Sequence, residues 1–111
     1  MAYTEKRLVL GSALTNTSAD YYTTPDVTTT IVKEIVICNT DVSARTFTMY
    51  ITPTTATVPA VANTIFNLVT IQPNETKIFG LTEVLPPGYT IKALASANAV
   101  VSFAASGIER T

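Results

Sequence analysis

A chain of 111 residues with 47% hydrophobic and only 14% charged side chains has the length for one domain, and it buries roughly two-thirds of its unfolded surface in a core of its own. Its net charge of −1 comes from seven basic and eight acidic residues spread evenly, which excludes the basic footprint of a nucleic-acid binder. Histidine is absent, which removes the Ser-His-Asp and Cys-His constellations and the commonest metal ligand.

Threonine sets the secondary-structure bias. Runs such as Thr28-Thr29-Thr30 and Thr52 to Thr57 are β-branched and suit a pleated, half-solvated surface. Residues 1–6 read as an N-terminal arm, and Lys6–Leu14 as the first strand, with Leu8 and Leu10 on one face and Arg7 and Val9 on the other. A polar turn at Asn16–Ala19 leads to a short strand, Asp20–Thr24, that Pro25-Asp26 ends. Thr28–Asn39 is the longest strand. Ile31, Ile35 and Ile37 are expected on one face and Val32, Val36 and Cys38 on the other, with Lys33 and Glu34 interrupting. Arg45–Thr52 alternates strictly, Phe47, Met49 and Ile51 against Thr46, Thr48 and Tyr50, and is expected to form a hairpin with the strand before it.

Pro53–Ala62 is a loop of Thr, Ala, Val and Pro, too apolar for free solvation and too rich in proline for a central strand. Thr64–Ile71 follows, and after the turn Gln72-Pro73-Asn74-Glu75 the chain is expected to return antiparallel over Thr76–Phe79. Gly80–Leu85 reads as an irregular or single helical turn, and Pro86-Pro87-Gly88 as a firm turn. Tyr89–Ala95 and Val100–Ile108 are expected to form a last hairpin, with Val101, Phe103 and Ala105 on one side. Eight short strands at this spacing predict an all-β, eight-stranded antiparallel β-sandwich of jelly-roll type in a single domain spanning residues 1–111.

The search for chemistry finds little. Cys38 stands in Ile35-Val36-Ile37-Cys38 and reads as a buried free thiol. The eight carboxylates fall mostly in turns and at strand ends, where solvated residues outweigh a glycosidase-type pair. The four glycines are isolated, so no phosphate-binding loop exists. Asn16-Thr17-Ser18 and Asn74-Glu75-Thr76 match the glycosylation pattern but read as turns, because Gly11 and Ser12 break the apolar run at Leu8–Leu10 too early for a signal peptide. No stretch is long and apolar enough for a membrane-spanning helix. The expectation is a protein that is not an enzyme and needs no metal or other cofactor.

Several segments resemble small virion structural proteins of tailed bacteriophages. They are Lys6-Arg7-Leu8-Val9-Leu10-Gly11, Tyr22-Thr23-Thr24-Pro25, Thr30-Ile31-Val32-Lys33-Glu34-Ile35, Cys38-Asn39-Thr40, Ser43-Ala44-Arg45-Thr46-Phe47-Thr48 and Ser106-Gly107-Ile108-Glu109. The likeness covers nearly the whole chain, except that the Pro53–Ala62 loop is longer and more apolar than the pattern leads one to expect. The resemblance implies a β-sandwich on the virion, made in the host cytoplasm. As a capsid decoration (cement) protein it would bind the phage major capsid protein, and a homotrimer would suit the three-fold points of a shell. Contacts are then expected from the arm, at Tyr3 and Arg7, and from the loop, at Pro53, Val58, Pro59 and Val61. The arm has an equally weighted reading as a frayed terminus. A different class is a tail or head-fibre adsorption module that stacks host carbohydrate on Tyr21, Tyr22 and Tyr89. A tail or neck structural protein is a third.

Overall fold

Alternating β-branched and apolar residues produce eight strands in the computed structural model, which describes residues 2–111. They are β1 (Tyr3–Ala13), β2 (Ala19–Thr23), β3 (Thr29–Asn39), β4 (Arg45–Thr52), β5 (Thr64–Ile71), β6 (Thr76–Leu85), β7 (Thr90–Ala95) and β8 (Val101–Arg110). One sheet has the order β1-β8-β3-β6 and the other β2-β7-β4-β5, all pairings antiparallel. This is an all-β sandwich with jelly-roll strand order.

The two inner faces meet on aromatic rings. Phe47 of β4 and Phe103 of β8 come from opposite sheets and lie 5.5 Å apart between centroids. Val32, Ile35, Ile37, Met49, Ile71, Ile91 and Val101 complete a solvent-free centre. Phe47, Met49, Val101, Phe103 and Ala105 take the inward places that alternation assigns them.

Strand pairing differs from the expected hairpins. β3–β4, β5–β6 and β7–β8 are not paired, because each connection crosses from one sheet to the other; only β4 and β5 are both consecutive and neighbouring. Asn39 shows how one crossing is held. Its side chain is fully buried, and Nδ2 donates to the carbonyls of Ser43 (2.9 Å) and Ile71 (3.0 Å), while Oδ1 accepts from the Asp41 amide (2.9 Å). The loop is thereby turned across the sandwich instead of back along β3.

Bulges change several expected faces. β3 carries an extra residue against β8 at Lys33, so Val32 joins Ile35 and Ile37 on the inner face and Ile31 does not. Cys38 consequently lies half-buried on the outer face, not in the core. Register shifts in β1 bury both Leu8 and Val9 and leave Leu10 78% exposed. Gly80–Leu85 is no turn but the second half of β6.

The expected arm is likewise strand. Tyr3 to Arg7 pair with Arg110 to Ser106 of β8, and the Ala2 and Thr111 backbones exchange two hydrogen bonds (3.0 and 2.9 Å). The charges of this stretch resemble a solvated tail, but a strand at the sheet edge holds such side chains in water while its backbone pairs. Met1 lies outside the described residues.

Candidate partner-binding surface

The loop between β4 and β5 is fastened near its start, at Thr55. Lys92, on the outer phase of β7, is buried although its neighbours Ile91 and Ala93 are the ones that face the core. Its Nζ donates to the Thr55 carbonyl (2.9 Å) and pairs with Asp20 Oδ1 (2.5 Å). The loop therefore folds back over the outer face of the second sheet. The Thr52 hydroxyl donates to the Thr54 carbonyl (2.8 Å), and the Asn63 side chain accepts from the Ala60 amide (2.9 Å) at a single 3-10 turn, Val61–Asn63. Held this way, the loop presents Val58 and Val61 almost fully to solvent, 82% and 92% exposed. Pro53 is exposed and Pro59 half-buried. These four expected contact residues share one loop; the signal that places them there is its Pro, Val and Thr composition. The Lys92 anchor has no sequence signature, since a lysine on the outer phase of a strand ordinarily stands in water.

Tyr3 and Arg7 lie elsewhere, both exposed on edge strand β1. Arg7 borders a shallow depression of about 430 Å³ where β1, β8 and β3 meet at the Lys33 bulge. Lys6 and Lys33 also line it, against one carboxylate, Glu5, so its rim carries a net positive charge. Gly107 forms its floor: a Cβ there would stand 2.1 Å from the Ile31 carbonyl oxygen.

The three tyrosines of the sugar-binding alternative are engaged in packing. Tyr21, on the bulge of β2, meets Phe103 edge-on at 5.8 Å. Tyr22 donates its hydroxyl to the Glu109 carboxylate and lies 2.7 Å from the Thr30 hydroxyl. Burial and the adjacent Glu109 push its ionisation well above the usual phenol range. Lys6 completes this group at 3.3 Å from Glu109, tying β1, β8, β2 and β3. Tyr89 is half-buried against the core.

Among the described residues no group of three or more His, Cys, Asp or Glu side chains converges as a metal site would require. No protein-family model matches the sequence. A search of curated proteins gives no match either.

Proposed function

We propose that this chain is a non-enzymatic structural protein of a phage virion, and within that class a decoration protein that binds the coat-protein shell as a homo-oligomer. The reading starts from the resemblance of nearly the whole chain to such proteins. The observation that carries it further is the fastened loop with Val58 and Val61 in solvent. A loop held by Lys92 loses little conformational freedom on docking, so its apolar contacts are not spent on ordering it. The low ionic content is consistent with surface that a partner covers. Jelly rolls recur among viral capsid and lectin domains, which supports the reading as a fold-level analogy. The sugar-binding alternative has less support, because Tyr21, Tyr22 and Tyr89 are half-buried.

The test mixes gold-labelled protein with separated phage heads and tails and images both. Dense labelling of heads, lost in a Val58→Asp, Val61→Asp double variant that keeps its far-ultraviolet circular dichroism, is the expected result. Labelling confined to tails, or heads labelled equally by the variant, would overturn the assignment.

A further inference from the structure

The sandwich has four sheet edges among the described residues, and they are guarded to different degrees. β1 carries Glu5, Lys6 and Arg7 and two register shifts; β2 has only five residues; β5 is interrupted by shifts against β4, with Leu68 at φ 49°. Charge, shortness and bulges are the devices by which edges avoid pairing with other chains. β6 is different. It runs ten residues, Thr76–Leu85, without proline, and among the described residues β3 is its only strand partner. Exposure alternates along it without a break from Thr76 to Val84. Ile78 and Val84 are 62% and 56% exposed on its outer face. On its inner side Phe79 lies 4.9 Å from Phe66 of β5, both rings only half-covered at the open flank of the sandwich.

We infer that β6 pairs with β6 of a second copy of this chain about a two-fold axis through Gly80, joining the two four-stranded sheets into one of eight strands. The register follows from charge. Antiparallel neighbours must project to the same side, so a dyad normal to the sheet has to pass through a residue position. Centred on Gly80, the sequence Thr76-Lys77-Ile78-Phe79-Gly80-Leu81-Thr82-Glu83-Val84 lies opposite itself. Lys77 then faces Glu83 of the second copy and Glu83 faces its Lys77, while Phe79 faces Leu81 twice. Neither Lys77 nor Glu83 is in an ion pair within the described residues. Shifting the centre to Phe79 or Leu81 sets Lys77 against Leu81 or Leu85 and loses both pairs. Opposite charges directly across an antiparallel pair stabilise it and like charges oppose it. At the dyad, Gly80 lies opposite its own copy with no side chain on either strand to crowd the pair. A two-fold pair takes the place of the trimer expected from shell symmetry. It concerns the isolated protein and stands or falls separately from the virion assignment.

The experiment is sedimentation equilibrium of the full chain, with Glu83→Lys, Lys77→Glu and the exchanged double variant Lys77→Glu/Glu83→Lys. The expected mass is twice 11.9 kDa for the wild type. Each single reversal, which sets like charges opposite each other twice, should weaken the dimer at least tenfold, and the exchange should restore it. A wild type that stays monomeric to about 1 mM (a Kd too weak for a standing assembly), a trimer, or a dimer indifferent to both reversals would overturn the inference. So would an exchanged variant that is folded and monomeric.

Discussion

Replacing Asn39 tests whether one buried amide holds the crossing from β3 to β4. Asn39→Ala removes two short bonds donated to Ser43 and Ile71, a longer one to Gln72 (3.3 Å), and the bond accepted from Asp41. Three well-formed bonds at about 1 kcal/mol each amount to a loss of about 3 kcal/mol. For a domain of this size that is roughly 12 °C in Tm. Asn39→Asp is the sharper variant. It keeps the acceptor for Asp41 but turns a carboxylate oxygen toward three carbonyl oxygens. At pH 7 it should be less stable than Asn39→Ala. Burial and the facing carbonyls raise its folded pKa above the unfolded value. Its deficit should therefore shrink as pH falls from 7 toward 4, as the protonated acid becomes a donor. Urea unfolding followed by circular dichroism at pH 7 and pH 4.5 measures both. An Asn39→Ala loss under about 1 kcal/mol, or an Asn39→Asp variant as stable as Asn39→Ala at pH 7, would refute the reasoning.

Other sites give equally definite expectations. Val27 is 85% exposed at φ 50°, a left-handed conformation that a β-branched residue resists, so Val27→Asn should raise stability by about 1 kcal/mol; a Tm at or below wild type contradicts this. At Gly107 the backbone of β3 leaves no room for a methyl group, and Gly107→Ala should cost about 1–3 kcal/mol in thermal unfolding, an unchanged Tm being the contrary result. Because the Tyr22 hydroxyl holds its proton above the ordinary value of 10.0, the native state binds more protons than the unfolded one, and stability falls as pH rises past 10. Tyr22→Phe should flatten that alkaline decline in urea titrations, and equal slopes would exclude the effect. Lys92→Met retains the buried stem but frees the Thr55 carbonyl, so amide exchange across residues 53–63 should speed up while the core strands stay protected; unchanged exchange in the loop would show that Lys92 does not fasten it.

Strand existence was legible because alternation is a local property. Arg45–Thr52 and Thr64–Ile71 occupy the residues their patterns indicate. Pairing was not legible. The connection of residues 40–44 is short enough for a hairpin, and only the buried amide of Asn39, bonded to the Ile71 carbonyl of β5, reveals that the chain crosses to the other sheet. Bulges are hidden for a related reason. Lys33-Glu34 visibly interrupts an apolar run, but whether the phase resumes or flips depends on how many residues β8 sets against it. The burial of Ile35 over Ile31 follows from that count, as does the placement of Cys38 outside the core.

Surfaces obey the same division. Val58 and Val61 could be singled out from composition, because an apolar loop that is too rich in proline for a sheet interior has few places to hide. Tyr3 to Arg7 could not be assigned, because charges on an edge strand and charges on a loose tail look alike until the partner strand is known. β6 is the strongest instance. Gly80 reads as a breaker in sequence, and that reading cut the strand in half. Once β3 is seen to pair with it on both sides of a register shift, Gly80 becomes the midpoint of a strand whose outer edge is open. The equal spacing of Lys77 and Glu83 from that midpoint then acquires a physical meaning. Two charges three residues either side of a glycine are unremarkable in a loop, but on an open strand edge they are complementary to themselves under a two-fold rotation.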